Sequence, residues 1–139
     1  MYPSDRKYTK EHEWVRIQGD DATVGITDYA QGQMGEIVFV DLCPVGRQVK
    51  QGDVFGSVES AKAVAELFAP LSGEVIAVNT VLGGHPASIN AQPHDAWMIR
   101  LRPSAPAEAD GLMASTAYSD IVISQLGWRS DKPDAEPGA

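Results

Sequence analysis

The chain has a single cysteine, Cys43, and no apolar stretch approaching the ~20 residues needed to span a bilayer. A lone thiol excludes an internal disulfide and a cysteine-rich metal site. At the end of Val40-Asp41-Leu42-Cys43 it reads as an inert, half-buried side chain, compatible with a reducing cytosol. Positive charge is also scarce: 11 Lys and Arg stand against 19 Asp and Glu, a formal charge of −8. That balance argues against nucleic acid as a partner, because phosphate contacts need clustered Lys and Arg, and against docking to an anionic membrane. It suits a soluble protein that meets partners with basic docking surfaces by diffusion. The start, Met1-Tyr2-Pro3-Ser4-Asp5-Arg6-Lys7, lacks the apolar centre of a signal peptide, so a cytoplasmic protein, or a mature form without its leader, is expected.

Local signatures of catalysis are missing as well. His12, His85 and His94 are far apart and lack the short spacing of zinc ligands. His12 reads as a packing or hydrogen-bonding side chain at a strand edge. Nothing marks a Ser/His/Asp or Cys/His arrangement. Gly83-Gly84 leads to Pro86, which is turn chemistry rather than a phosphate loop. The chain is therefore expected to have no turnover of its own.

What is present is a succession of short strands in a chain of 139 residues, enough for one domain with a real core. His12–Ile17 and Ala22–Ile26 alternate around a Gly19-Asp20 turn. Thr27 or Asp28 can cap a short helix that Gly32 and Gly35 end. Glu36–Val40 holds consecutive apolar residues and is expected to be buried on both faces. Glu74–Val78 and Trp97–Arg102 are further strands, separated by a Gly-rich loop over Asn79–Pro86. Ser104 is expected to cap a helix with Pro106 in its first turn, and a second helix is expected over about 115–125. Residues 1–126 form the expected domain, and 127–139 a flexible tail with Trp128 touching the domain. Strands this short and this regularly spaced mean a small barrel or sandwich.

One hairpin stands out. Val54–Val58 and Val64–Ala69 flank Glu59-Ser60-Ala61-Lys62-Ala63, a tip without Gly, Asn, Asp or Pro. A lone lysine there, with small neighbours, reads either as a solubilising surface charge or as an attachment point for a prosthetic arm. Small residues leave room for a modifying enzyme, and four methylenes carry the amine clear of the sheet.

Several segments together resemble the H protein of the glycine cleavage system. They are Tyr8-Thr9-Lys10-Glu11-His12-Glu13-Trp14, Val24-Gly25-Ile26-Thr27-Asp28-Tyr29-Ala30-Gln31, Gly35-Glu36-Ile37-Val38-Phe39-Val40, Val58-Glu59-Ser60-Ala61-Lys62-Ala63 and Pro70-Leu71-Ser72-Gly73-Glu74-Val75. The resemblance covers about residues 7–123. Gly46 and Gly73 lie sixteen residues before and eleven after Lys62, like the turn glycines flanking the modified lysine of lipoyl domains.

The resemblance implies a mainly β fold, a flattened antiparallel barrel or sandwich of the lipoyl/biotinyl-carrier type, with a short internal helix and C-terminal helices. It implies lipoic acid joined to Lys62 through an amide. Biotin is disfavoured, because biotin carriers usually place methionines where this chain has Ala61 and Ala63. A monomer is expected. The implied partners are a glycine decarboxylase (P protein), an aminomethyltransferase (T protein), a dihydrolipoyl dehydrogenase (L protein) and a lipoyl or octanoyl ligase or transferase. The decarboxylase would release carbon dioxide and leave an aminomethyl group on one lipoyl sulfur. The transferase would pass its carbon to folate and release ammonia, and the flavin dehydrogenase would reoxidise the dithiol.

By the same resemblance Glu13 is expected to meet the adduct's ammonium, and Glu66 stands where the family often has aspartate. Glu59 is expected to be read by the modifying enzyme or to be a hairpin surface charge. Departures are Ala61 where valine is common, Pro93-His94-Asp95-Ala96 before Trp97, expected near the arm's resting cleft, and the long C-terminal tail. Alternatives that keep the arm are an H-like carrier of bacterial sulfur oxidation and a lipoyl donor to other dehydrogenase complexes. An alternative without it is a plain binding module, in which Lys62→Arg would leave function intact.

Overall fold

The computed structural model describes residues 2–128. Within them, β1 (Lys7–Tyr8), β2 (Glu13–Gln18), β3 (Asp21–Ile26), β4 (Ile37–Leu42), β5 (Gln48–Val49), β6 (Val54–Ser60), β7 (Val64–Phe68), β8 (Gly73–Val78) and β9 (Ile99–Pro103) make two antiparallel sheets. The larger runs β1-β2-β3-β9-β8-β5 and the smaller β4-β6-β7. No strand is shared between the two, so the arrangement is a sandwich and not a closed barrel.

Thr27 caps α1 (Asp28–Met34): its Oγ1 accepts from the Ala30 N–H, one of the donors that the first helical turn leaves unpaired. Gly35 ends the helix at φ +78°, a left-handed conformation that disfavours any Cβ. Gly32 does not end it. It lies inside the helix, where a Cβ would run into the Trp128 ring.

The core is made where the inner faces meet. Phe55, Val58 and Leu67 of the small sheet join Val15, Val24, Val75, Ile99 and Leu101 of the large one. A second cluster packs outside this core: Tyr2, Tyr8, Trp14, Tyr118 and Val122. Its centre is the stacked pair Tyr8 and Tyr118, with centroids 4.8 Å apart. Tyr118 belongs to α3 (Ser115–Asp120), which lies where the second helix is expected and continues as a wider π-type turn over Ile121–Gln125; of the expected stripe Tyr118 and Val122 are buried, and Ile121 and Gln125 are not.

Other expectations need correction. β4 is not buried on both faces. Ile37 is buried, but Val38 and Phe39 are 56% and 52% exposed. A register shift between Ile37 and Phe39 against β6 leaves Val38 as the extra residue of a β-bulge, which re-aims side chains out of the alternating pattern. Ser104 caps nothing: a 3₁₀ turn runs Pro106–Gly111 with Ala105 at its N-cap and no capping side chain. The Asn79–Pro86 segment is not plain loop, since Thr80–Gly83 forms a 3₁₀ turn, and α2 (Ser88–Ala91) follows it. Gly46 is a turn glycine, at φ +96°. Gly73 is instead a strand residue, where a Cβ would meet the Arg102 carbonyl of β9. Trp128 sits on α1, its Nε1–H donating to Asp28 Oδ2 at 2.9 Å. The remainder of the expected tail, 129–139, lies outside the described residues.

Candidate functional site

β6 and β7 pair in register from Gly56↔Leu67 to Glu59↔Val64, so the chain reverses over Ala61, Lys62 and Ala63. Ser60 N–H donates to Ala63 O at 2.9 Å and closes the turn. The Ser60 hydroxyl accepts from the Lys62 N–H at 3.4 Å. A serine side chain thus does locally what Gly or Asn would do by conformation, and none of the four residues 60–63 has positive φ. This accounts for a tip without turn residues.

Lys62 is exposed, and among the described residues no hydrogen bond or ion pair engages its Nζ. The stem lies over Gly35: Cε and Nζ come within 3.4 and 3.9 Å of where a Cβ on Gly35 would stand. Asn90 holds that support in place. Its Nδ2 donates to Gly35 O at 2.7 Å and to Gln31 Oε1 at 2.9 Å, and its Oδ1 accepts from Ile37 N–H at 2.8 Å. One side chain therefore joins the end of α1 to the start of β4. Sequence reasoning missed Asn90, because nothing local marks a residue whose partners lie more than fifty positions away.

Glu13 is placed differently from a solvated strand carboxylate. It is 2% exposed. Thr9 Oγ1–H donates to Oε1 at 2.6 Å and Phe68 N–H donates to Oε2 at 3.1 Å. Burial raises its pKa from 4.5 to about 7, and the two donors pull the other way without cancelling that effect. Phe68 ends β7, so Glu13 lies at the base of the hairpin, roughly 13 Å of extended strand from Val64. His12, at φ +71°, ends the turn that presents Glu13, and its Nδ1 lies 2.8 Å from Tyr118 Oη. It is a packed, hydrogen-bonded histidine, as expected.

Glu59 and Glu66 are on the outward face of the small sheet. Glu59 is opposite both Phe39 and Val64, and Glu66 is opposite Ser57. Glu66 is exposed and Glu59 half-buried. Val64, beside Glu59, is 67% exposed. The Pro93–Ala96 segment makes its contacts elsewhere: Pro93 O accepts from Trp14 Nε1–H, His94 O accepts from Arg6, and His94 Nε2 accepts from the Asp28 N–H. Burial, helped by Arg6, pushes the His94 pKa down to about 4, so this ring is neutral. The segment braces the aromatic cluster. Cys43 is buried and free, and burial raises its pKa, in keeping with an inert thiol. Among the described residues no group of His, Cys, Asp and Glu could hold a metal ion, and no helix is long and apolar enough to cross a membrane.

Comparison with known proteins agrees with this geometry. The family model for glycine cleavage H-protein matches residues 6–125. A glycine cleavage system H protein of Acidobacterium capsulatum is 50% identical over 126 residues, covering 91% of this chain and 98% of that one. One from Geobacillus kaustophilus is 49% identical over 121 residues, covering 86% and 95%. The crystal structure of a glycine cleavage system H protein from Mycobacterium marinum superposes with a TM-score of 0.80 at 38% identity, over 91% of this chain and all of that one. An exposed, unengaged lysine on a hairpin tip, carried by a two-sheet sandwich, and a match over nearly the whole chain lead to one conclusion: the protein belongs to the glycine cleavage H-protein family.

Proposed function

We propose that this chain is a non-catalytic lipoyl carrier, which shuttles the aminomethyl group of glycine on a lipoyl-lysine arm at Lys62 between the decarboxylase, the aminomethyltransferase and the dihydrolipoyl dehydrogenase of the glycine cleavage system. The observation that carries this reading is Lys62 itself. Its amine is exposed and free of hydrogen bonds and ion pairs among the described residues, and Ser60, Ala61 and Ala63 leave it open to an acylating enzyme. The site fits the group: acylation of Nζ breaks no hydrogen bond or ion pair among the described residues, and Gly35 leaves space beside the stem. Once attached, lipoic acid supplies a dithiolane that can accept a one-carbon unit and two electrons.

The chain's own residues then have distinct tasks. Ser60 sets the root of the arm. Asn90 and Gly35 support its stem. Glu13 offers a carboxylate in a dry place, where pairing with an ammonium is worth far more than in water. Such a pairing would draw Glu13 to its ionised form and away from Phe68 N–H or Thr9. Glu66 serves as an outer carboxylate for the same adduct, and Glu59 as a contact for the lipoylating enzyme. Residues 1–126 act as the carrier domain.

Intact-mass measurement on protein from its native host tests the attachment: a mass raised by one lipoyl group, lost in Lys62→Arg, is expected, and a bare chain in lipoate-replete cells overturns it. Glycine–bicarbonate exchange with a decarboxylase partner tests the pathway. Lipoylated protein is expected to support exchange. An arm that is present but inactive there would shift the reading to sulfur carriage or lipoyl donation.

A further inference from the structure

Trp128 lies past residues 6–125, the stretch matched to the family, yet several features of the fold serve it. The wide turn after α3 is followed by Gly127 at φ +70°, a left-handed residue that folds the chain back. Trp128 N–H then donates to Val122 O at 3.0 Å, and the indole is laid across α1. There Gly32 leaves bare backbone beneath the ring, and Tyr29 meets the ring edge-on, with centroids 6.0 Å apart. A glycine inside a helix costs stability relative to alanine, and here it makes room for one side chain. The indole Nε1–H donates to Asp28 Oδ2 at 2.9 Å.

From Asp28 the hydrogen bonds run on toward the lysine. Gln31 Nε2–H donates to Asp28 Oδ1 at 2.9 Å, and Gln31 Oε1 accepts from Asn90 Nδ2, which also donates to Gly35 O. Asn90 Oδ1 accepts from the Ile37 N–H. Asp28 and Gln31 are buried. Neither amide can turn over. A flip of Gln31 would set its oxygen against the Asp28 carboxylate and its NH2 against that of Asn90, and a flip of Asn90 would do the same at Gly35 O and Ile37 N–H. The relay thus has one arrangement, from Trp128 along one side of α1 to the corner where α1 gives way to β4. The stem of Lys62 lies over that corner, with Cε 3.4 Å from where a Cβ on Gly35 would stand, and Ile37 pairs with Ser60 at the root of the tip. Val38 and Phe39, both exposed, continue the corner as surface beside the tip that an enzyme reaching Nζ must approach.

We propose that Trp128 is a positioning residue for Lys62: seated on α1, its indole locks the relay that holds the α1–β4 corner beneath the lysine, and so presets the surface that a modifying enzyme engages. For its effect on modification the proposal rests on the lipoyl reading of Lys62. A corner already ordered spares the enzyme the cost of ordering it, a saving read in KM and not in kcat.

Two substitutions in the full chain undo the latch by different routes. Trp128→Phe leaves a ring over Gly32 and removes the Nε1–H donor. Gly32→Ala favours the helix and drives the ring off. Both are expected to speed exchange of the Ile37 N–H and to shift the Asn90 side-chain amide resonances. With a lipoate ligase, both are expected to raise the KM for the carrier about two- to tenfold at unchanged kcat. In an Asn90→Ala background Trp128→Phe is expected to add nothing to KM, because the relay is already cut. Where that background does not fold, exchange in the single variants decides. Changes confined to residues 28–32 and 122–128 make Trp128 a local packing residue and overturn the proposal. Corner changes with an unaltered KM overturn the positioning role. A native chain that the ligase cannot modify overturns the lipoyl reading, and the exchange measurements then judge the relay by themselves.

Discussion

The two sheets treat their outer faces in opposite ways. In the large sheet, β3 is buried from Ala22 through Ile26, because the core covers one face and the Tyr2, Tyr8, Trp14, Tyr118 cluster covers the other. Trp14 alone is 1% exposed, donates to Pro93 O and has the Arg6 guanidinium 4.5 Å over its ring. In the small sheet only the inner face is covered, and Phe39, Glu59 and Val64 form an open row just below Lys62. Most of the aromatic mass lies over the outer face of the large sheet, and the outer face of the small sheet is left open around Lys62, with Phe39 and Val64 exposed. Stability and function should therefore separate by sheet.

The largest stability effect is expected at the aromatic cluster. Trp14→Ala removes a buried ring and should cost about 3–5 kcal/mol in urea unfolding, while the folded fraction is lipoylated at the native rate. A comparable fall in lipoylation of folded protein would break the separation.

Glu13 is next and carries a sign. The folded chain holds this proton more tightly than the unfolded chain does. Its contribution is thus fully present below pH 4.5 and is lost as pH rises through about 7, a change of roughly 3 kcal/mol. His94 slopes the other way: with its folded pKa lowered to about 4, stability falls as pH drops from 6.5 through that value. Unfolding midpoints of Glu13→Gln measured across pH 4 to 8 should lose the falling limb and keep the rising one, to which His94 and His12, both lowered by burial, contribute, with the mutant more stable than the native chain above about pH 7. A native-like profile in the mutant would contradict the enclosed carboxylate.

Gly35→Ala should cost about 1–3 kcal/mol, because φ +78° with ψ −163° is a region open almost only to glycine. The new methyl would stand 3.4 Å from Lys62 Cε, an ordinary contact with the end of a flexible side chain, so the lipoylation rate of the folded protein should change little. Lys62→Arg should move stability by no more than about 0.5 kcal/mol and abolish lipoylation. That pairing of the smallest structural effect with the complete functional one is the sharpest form of the contrast between the sheets.

What could be read from the sequence follows the range of the interactions involved. The β2–β3 hairpin, the Thr27 cap and the Lys62 tip are set by residues a few positions apart, and all three are found where local chemistry puts them. Val38 and Phe39 looked buried because Ile37-Val38-Phe39-Val40 is apolar throughout, and a bulge depends on pairing with β6, not on the run itself. Gly32 looked like a terminator because its reason, the Trp128 ring, lies ninety-six residues on. Ser104 has good capping chemistry, but the turn begins at Pro106, one residue too late for it. The two-residue strands β1 and β5 carry no pattern long enough to read. Family resemblance singled out Glu13, yet its enclosure by Thr9 and Phe68 is a tertiary fact.

The serine-closed tip also bears on how far a tethered cargo can roam. None of residues 60–63 has positive φ, and the Ser60–Ala63 hydrogen bond closes the turn from within, so the anchor itself has little reason to pivot. Reach must then come from rotation about the single bonds of the tether, much as a crane with a fixed mast relies on its cable. Carriers built this way would sweep a hemisphere whose centre is stationary, and any enzyme that grips the mast would know in advance where the load can hang.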